Sequence, residues 1–279
     1  MPCIAHISDL HFGYNDPLLV DALRNVLSQI KPDVLAVSGD LVEHATVSEF
    51  KQARDFLQSL PRPQIVVPGN HDLPFYNLWL RAIEGLRNFR RYISDDPTPT
   101  YVDEHMAVIG FESAHHFPVK GGKITEQQLD GIVQRFAALP DYLVRVLVTH
   151  HPFDLPAPAT SRSLIGHSRD AVRRLAPVVD VLLAGHIHIS SSGSTSSRYK
   201  TRNHGMVFVQ AGTAVSNRHK GETNSFNVLH IGRSAEGEKQ VQIDRYAWDQ
   251  RCSQFTCHRS LEFRLGKEGW AQVQHLSTP

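Results

Sequence analysis

The chain has 279 residues, with 29 Lys and Arg against 28 Asp and Glu, and its formal net charge of +1 gives no strong field for attracting duplex DNA or an anionic membrane. Its 41% apolar and 20% charged residues are ordinary for a soluble globular protein. Three cysteines, no basic N-terminal segment and no long uncharged apolar run argue against a disulfide-stapled, exported or membrane-spanning chain, so we expect a cytoplasmic protein.

From the N-terminus onward, short apolar runs alternate with amphipathic segments, which is the pattern of repeated βαβ units. Asp16 with Pro17 predicts the start of one helix, and Thr46 with Glu49 has the spacing of a capping box that starts another. A single helix is predicted from Leu78 to Tyr92. The strands predicted in this part are Cys3–Ser8, Val34–Ser38, Gln64–Val67, Thr100–Val102, Ala107–Phe111, Leu143–Val148 and Val179–Leu183.

The pattern changes in the last third of the chain. Ser190–Ser197 is rich in serine and predicts a flexible loop. The β-type runs that follow are Met206–Val209, Phe226–Ile231, Val241–Tyr246 and Leu261–Arg264. Because no linker interrupts the chain, we predict a single α/β domain over residues 1–279, with a motif-bearing core in 1–188 and a β-rich part in 189–279.

Polar, ligand-type side chains directly follow five of the predicted strands. The five motifs are Asp9-Leu10-His11, Gly39-Asp40, Gly69-Asn70-His71-Asp72, Thr149-His150-His151-Pro152 and Gly185-His186-Ile187-His188. In open α/β sheets, binding sites form just beyond the carboxyl ends of the strands. The sequence therefore predicts that these side chains meet at one edge of the sheet.

The types of these residues indicate a metal site. The candidate ligands are Asp9, His11, Asp40, Asn70, His150, His186 and His188. A mixed oxygen and imidazole set without thiolate suits Mn, Fe, Zn, Co or Ni, and disfavours calcium cages and cysteine-rich structural zinc. Seven side chains are too many for one tetrahedral ion. They suffice for two divalent ions, Mn or Fe being favoured, that share a carboxylate and lie about 3.5–4 Å apart.

Each motif taken alone has a simpler interpretation. Asp9-Leu10-His11 and Gly39-Asp40 are compatible with ordinary surface turns, and Asn70-His71-Asp72 with a polar turn. His186 and His188 are two residues apart, which places both rings on one face and favours a metal. Glycine before Asp40, Asn70 and His186 permits close approach of the backbone to a metal site. It is the occurrence of all five motifs in order, each at a strand end, that favours metal binding.

The ordered set of motifs resembles the calcineurin-like metallophosphoesterase superfamily over roughly Ile4 to His188. The resemblance implies an α/β fold in which two mixed β-sheets pack as a sandwich flanked by helices, in four α/β/β/α layers. It also implies a dinuclear site with Asp40 as the bridging ligand. The implied ligands of one ion are Asp9, His11 and His188, and those of the other are Asn70, His150 and His186. His151 is then expected just outside the ligand set.

This chain lacks motifs that define other branches of the superfamily, which narrows the choice of branch. Protein Ser/Thr phosphatases carry Arg-Gly after the bridging aspartate, where this chain has no such pair. Purple acid phosphatases carry a tyrosine three residues after that aspartate, at the position of Glu43. The chain is most similar to bacterial class III cyclic-nucleotide phosphodiesterases, and next to small DNA-repair-exonuclease-like members.

These resemblances predict a metallophosphodiesterase that cleaves a small nucleotide or related ester. His71, next to a ligand but outside the ligand set, is the candidate general acid or charge stabiliser, and Asp72 is expected to orient its ring. A metal-dependent DNA or RNA nuclease is possible but not favoured, and an inactive binding scaffold is the alternative outside catalysis. A homodimer formed through an edge strand of the C-terminal third stays open.

For several other residues, the sequence is compatible either with a position beside the metal site or with an ordinary structural role. His6 is predicted to pack within its strand. Two basic clusters are interpreted as a solvated helix face and a polar loop, with a phosphate-attracting rim as the alternative: Arg81, Arg87, Arg90 and Arg91, and the segment from Arg198 to Lys220. The residues with an open role in bordering the site are His44, His115, His116, His167, His219, Phe75, Tyr76 and Trp79.

Overall fold

A computed structural model of the chain describes residues 1–74, 78–115, 121–155, 164–199 and 205–273. Phe75, Tyr76 and His116, which the sequence suggested as possible neighbours of the site, lie outside the described residues. Among the helices of the described ranges, none combines the length and the apolar character that a bilayer span requires.

One sheet has seven strands and joins the two ends of the chain. Its strands are β1 (Cys3–Ile7), β2 (Val34–Val37), β3 (Gln64–Val66), β10 (Ser225–Arg233), β11 (Lys239–Asp249), β12 (Gln254–Gly266) and β13 (Gly269–Gln272). Their order is β13-β12-β11-β10-β1-β2-β3. Strands β1 to β3 are parallel, whereas β10 pairs antiparallel with β1 and begins an antiparallel set. Strands β10 to β13 of the β-rich part therefore extend the sheet that carries the first three motifs.

The second sheet has six strands. They are β4 (Thr100–Val102), β5 (Met106–Gly110), β6 (Val144–Val148), β7 (Val181–Ala184), β8 (Ser191–Ser194) and β9 (Val207–Gln210). Their order is β4-β5-β6-β7-β9-β8, with the four central strands parallel and the two edge strands antiparallel. Strands β6 and β7 deliver the last two motifs to the same edge of the molecule as β1 to β3.

Apolar faces of the two sheets pack against each other, and helices cover their outer faces. Ile4, Val146 and Leu229 belong to the buried cluster between the sheets. The main outer helices are α1 (Pro17–Ile30) and α2 (Val47–Gln58) on one side, and α5 (Glu126–Ala137) and α6 (Ser168–Leu175) on the other. Burial of each large aliphatic side chain contributes about 1.5–3 kcal/mol. Two mixed sheets packed face to face and flanked by helices are the architecture that the sequence predicted.

Local sequence signals located the helix starts well but missed two features. The segment from Leu78 to Tyr92 forms two helices, α3 (Leu78–Glu84) and α4 (Arg87–Tyr92), because Gly85 between them has a φ of +51°. The flexible loop predicted for Ser190–Ser197 is wrong. There the chain forms strand β8 and the short helix α7 (Ser196–Tyr199), since backbone pairing with β9 needs no apolar side chains.

The capping box at the start of α2 gives a test of local stability. Thr46 accepts a hydrogen bond from the backbone N–H of Glu49, whose carboxylate accepts from the N–H of Thr46. We expect Thr46→Ala to lower the free energy of unfolding by about 1 kcal/mol, measured by urea denaturation. Ser48→Ala, on the exposed face of the same helix, is the control; equal stability of both variants would contradict the role of the cap.

Candidate metal centre

The loops after β1 and β2 are tied together by their backbones. The N–H of Asp9 donates to the carbonyl of Gly39 over 3.0 Å, and that of His11 donates to the carbonyl of Asp40 over 3.1 Å. Because β1 and β2 are parallel neighbours, both loops leave the sheet at the same edge. The first two motifs are therefore held side by side by main-chain contacts, before any side chain is considered.

Several candidate ligands have a left-handed backbone, which non-glycine residues rarely adopt. Their φ angles are +53° for Asp9, +46° for His11, +51° for Asp40, +76° for His186 and +60° for His188. Such conformations cost on the order of 1–3 kcal/mol each and accumulate at functional sites. The strain at these positions indicates that the loops are shaped to aim side chains rather than to maximise stability.

Four candidate ligands from three loops converge in a first half-site, composed of Asp9, His11, Asp40 and His188. The Nε2 atoms of His11 and His188 are 3.3 Å apart, and His188 Nε2 is 3.1 Å from Asp9 Oδ1. His11 Nε2 lies 3.8 Å from carboxylate oxygens of both Asp9 and Asp40. All four side chains are buried, and their donor atoms lie within 4.8 Å of one another.

The opposite ring nitrogens show which way the lone pairs of the histidines point. His188 Nδ1 donates to the carbonyl of Arg218 over 3.0 Å, and His150 Nδ1 donates to that of Ser38 over 2.7 Å. His11 Nδ1 lies 2.8 Å from Glu43 Oε2. When Nδ1 carries the hydrogen, the lone pair is on Nε2, and metal-binding histidines are held in this way by outer partners. When both rings are neutral, two such lone pairs face each other at 3.3 Å between His11 and His188, an arrangement that suits a shared cation.

The second half-site is composed of Asn70, Asp40, His150 and His186. His150 Nε2 is 3.2 Å from Asn70 Oδ1 and 3.3 Å from Asp40 Oδ2. The ring of His186 lies 5.2 Å from that of His150. Asp40 belongs to both half-sites, because its Oδ2 faces His11 and His150 while its Oδ1 accepts from the N–H of His71. The residues present thus fit two ions that share one carboxylate, and the structure contains a potential metal site.

His151 lies closer to the second half-site than its place outside the predicted ligand set suggested. Its ring is 4.6 Å from that of His186, and a ring nitrogen groups with His150 and His186. Its Nδ1 is 3.0 Å from Ser113 Oγ, and its buried Nε2 has no hydrogen-bond partner among the described residues. His151 therefore packs against the rings of His150 and His186, and its Nε2 could bind an ion held by them.

The electrostatics of the centre are dominated by two buried carboxylates. Burial alone would raise the pKa of Asp40, but His150, His71 and His11 hold that pKa well below its usual value. Burial disfavours protonated His150, yet the carboxylates of Asp40 and Asp9 raise its pKa to about 9. Without a metal, the negative charge of the site therefore recruits a proton onto an imidazole, and a divalent ion would supply the same compensation.

Glycines before the ligands allow backbone segments to approach the carboxylates. A Cβ on Gly69 would collide with the backbone N and Oδ1 of Asp40. A Cβ on Gly185 would collide with Ser8 Oγ and lie 2.7 Å from Asp9 Oδ2. The glycine positions in the motifs are therefore steric requirements of the site, as the sequence predicted.

Two side chains next to the site were not identified as functional from the sequence. Glu43 lies beside His11 and accepts both of its 3.0 Å hydrogen bonds from Arg218 Nη1, which is also 3.1 Å from His71 Nε2. His71 Nδ1 donates to the Glu43 carbonyl over 3.0 Å. The expectation that Asp72 orients His71 is wrong. Asp72 instead accepts from backbone N–H groups, including that of Gly69 at 2.8 Å, and so fixes the ligand loops.

Arg81 was assigned to a solvated helix face, and this interpretation is wrong. Its side chain is fully buried and donates to the carbonyl oxygens of Asn70, over 3.1 Å, and His115, over 3.0 Å. An arginine can replace water for two buried carbonyls because its guanidinium offers several donors. Arg87 and Arg90 are exposed, as predicted. Arg81 therefore supports the loop that carries Asn70.

Other histidines outside the candidate ligand set make the following contacts within the described ranges. His6 is buried and within hydrogen-bond distance of Ser38, at 2.9 Å, as expected for a residue packed in its strand. His44 lies 3.0 Å from Glu49, and His219 Nδ1 donates to the Glu222 carbonyl over 3.2 Å. His115 Nε2 donates to the carbonyl of Lys123, and His167 forms the N-cap of α6 without a side-chain bond. Trp79, which the sequence suggested as a possible neighbour of the site, is 75% exposed.

Comparison with known proteins identifies the family. The profile of the calcineurin-like phosphoesterases matches residues 3–190, so the chain belongs to this family and is a hydrolase acting on phosphoric ester bonds. It is 31% identical over 205 residues to a protein of Synechococcus sp. named a probable cyclic nucleotide phosphodiesterase, covering 66% of this chain and 72% of that protein. It is 26% identical over 204 residues to the 3′,5′-cyclic adenosine monophosphate phosphodiesterase CpdA of Escherichia coli, covering 66% and 69%.

A solved structure supports the same fold. The purple acid phosphatase PPD1 from yellow lupin (Lupinus luteus) seeds superposes with a TM-score of 0.70, covering 94% of this chain and 53% of that chain. At 10% sequence identity this likeness shows the fold alone. The family resemblance drawn from the five motifs is confirmed by the family match over residues 3–190.

Replacing Gly185 tests whether the close approach of its backbone is required. We expect Gly185→Ala to displace Asp9 and to weaken Mn²⁺ binding by about 10-fold or more, because losses in the shell around ligands have effects of that size. Calorimetric titration with Mn²⁺ measures the affinity. Gly131→Ala is the matched control, because a Cβ there meets no atom within 4 Å in helix α5. Unchanged Mn²⁺ affinity in the Gly185 variant would show that the loop can relax.

Proposed function

We propose that the chain hydrolyses phosphodiester bonds at a dinuclear centre, with a small cyclic nucleotide or related ester as substrate. The observation that carries the proposal is the shared position of Asp40 between two half-sites whose histidine lone pairs point inward. In this proposal one ion is held by Asp9, His11 and His188, the other by Asn70, His150 and His186, with Asp40 bridging. Manganese or iron is favoured for both positions, since the ligands are oxygen and imidazole.

Ions bound there would supply Lewis-acid charge for activating water and for stabilising phosphoryl oxygens. The protein's own contribution is to fix the ligands. Backbone carbonyls of Ser38 and Arg218 hold the rings of His150 and His188, and the N–H of His71 holds Asp40. Such pre-organisation lowers the barrier because no reorientation is needed when charge develops.

His71 has its Nδ1 hydrogen directed at the Glu43 carbonyl and its Nε2 directed at Arg218. A nitrogen that accepts a hydrogen bond from arginine has no proton of its own to give. We therefore favour a charge-stabilising role that His71 exerts through the Arg218 guanidinium held at its Nε2, with proton donation as the alternative.

The substrate class is inferred from the relatives and from the charge of the chain. Both relatives described above carry phosphodiesterase names for cyclic nucleotides. The net charge of +1 does not favour a nuclease, because binding of a long polyanion is driven by many phosphate contacts. A cytoplasmic location remains a prediction. We also propose one domain over residues 1–279, which the pairing of β10 with β1 supports.

Asp40→Ala tests the dinuclear centre directly. The purified proteins are assayed with Mn²⁺ against bis(p-nitrophenyl) phosphate, p-nitrophenyl phosphate, cyclic AMP and single-stranded DNA, and their metal content is measured. We expect loss of diester cleavage larger than the roughly 10–100-fold that removal of an outer partner causes. Asp21→Ala, whose side chain is 67% exposed on α1, is the control.

The outcomes separate the rival functions. Cleavage of cyclic AMP without cleavage of single-stranded DNA supports the proposal, and the reverse supports a nuclease. A wild-type protein that retains no metal and cleaves no ester would instead be a binding scaffold.

Leaving-group dependence separates the two roles of His71. A general acid matters most for a poor leaving group and contributes about 10²–10⁴-fold, whereas p-nitrophenolate leaves without a proton. We expect His71→Asn to lower kcat by a similar factor for cyclic AMP and for bis(p-nitrophenyl) phosphate, with metal content unchanged. A much larger loss on cyclic AMP would make His71 the general acid and contradict the charge-stabilising role.

A further inference from the structure

The loop between β9 and β10 places both the backbone and the side chain of Arg218 next to the first half-site. Its carbonyl accepts the Nδ1 hydrogen of His188, and its own N–H donates to Ser216 Oγ over 3.2 Å. Its side chain reaches back over the site to Glu43 and His71. The position of the guanidinium is thus fixed by the same loop that orients a candidate ligand.

Within the part of the chain that the structure describes, one nitrogen of this guanidinium makes hydrogen bonds to the protein. This nitrogen, Nη1, donates to both oxygens of Glu43 and to His71 Nε2. Within the described ranges, Nη2 and Nε of Arg218 have no hydrogen-bond partner, and the side chain is 34% exposed. An arginine offers five N–H donors in a planar fork, so the solvent-facing part of the fork is available to a ligand.

The charge of Arg218 is only partly compensated. Glu43 is its ion-pair partner, but Glu43 is also 2.8 Å from His11 Nδ1 and so serves two positive or hydrogen-bearing groups. A partly neutralised guanidinium beside a metal centre is a suitable group for an anionic oxygen, and arginine binds phosphate in a bidentate manner.

We infer that Arg218 binds the substrate phosphate, donating from Nη2 and Nε to a non-bridging oxygen while Nη1 stays on Glu43 and His71. Arg218 then positions the ester over the metal centre and selects for anionic phosphoesters. This inference rests on the proposed function. The competing role is purely structural: Arg218 would hold Glu43, and through it the ring of His11, without touching substrate.

The test compares Arg218→Met, Arg218→Lys and Glu43→Gln with the wild-type protein, all loaded with Mn²⁺. Calorimetry measures binding of inorganic phosphate, and kinetics measure KM and kcat for bis(p-nitrophenyl) phosphate and inhibition by phosphate. We expect Arg218→Met to weaken phosphate binding and raise KM by about 10- to 100-fold, the usual effect of losing charged hydrogen bonds. Metal content should stay the same, and Arg218→Lys should recover part of the loss.

A second arginine provides a matched control. Arg245 forms a 3.0 Å ion pair with Glu222, and both side chains are 22% exposed, but its contacts do not include His71 or a candidate ligand. Arg245→Met should therefore leave phosphate affinity and KM unchanged. If Arg245→Met weakened phosphate binding as much as Arg218→Met, the loss would reflect the breaking of an ion pair near this loop and not the loss of a phosphate ligand.

The outcomes decide between the two roles of Arg218. Unchanged phosphate affinity in Arg218→Met would overturn the inference. It would also be overturned if Glu43→Gln lost metal and Arg218→Met lost the same amount. A wild-type protein that cleaves no ester would count against the proposed function, whereas the phosphate titration would still test Arg218 itself.

Discussion

The site depends on two carboxylates, Asp9 and Asp40, that are fully buried at one edge of an apolar sandwich. Burying a charge costs several kcal/mol unless opposite charge and hydrogen bonds compensate it. Here the compensation comes from imidazoles of four separate loops and from backbone N–H groups of His71 and His186. The need to neutralise two carboxylates explains why so many histidines collect at this edge, and why divalent ions suit it.

The strained loops around the carboxylates are tolerated because the sheets beneath them are rigid. The φ angles of +53° at Asp9 and +51° at Asp40 follow directly on strands β1 and β2, which are buried throughout. The unfavourable backbone energy is offset by the apolar burial of those strands. The antiparallel pairing of β10 with β1 places β1 inside the sheet, so the strand that carries Asp9 and His11 has neighbours on both sides.

The residue pattern was sufficient to predict an α/β domain and the residues that gather, because each motif is local and follows a strand, whereas the two-sheet sandwich was implied by the family resemblance. It did not reveal contacts between distant segments. Glu43 and Arg218 are 175 residues apart, and no spacing or periodicity links them. The burial of Arg81 was missed because the sequence groups it with Arg87 and Arg90 in one basic cluster. A position on a helix does not show which backbone carbonyls lie within reach of an arginine side chain. Strand β8 was missed because its serines carry no apolar alternation.

Main-chain and side-chain contacts have different roles around the centre. Rings of His150 and His188 are oriented by backbone carbonyls, which any sequence with this fold can provide. The groups beside the ligand set, His71 and Arg218, are held by the side chain or carbonyl of Glu43. A substitution in the outer loops can therefore change what is bound without disturbing the ligand set. This separation is a physical reason why one fold can host many phosphoesterase substrates, and why specificity must be sought in the outer loops.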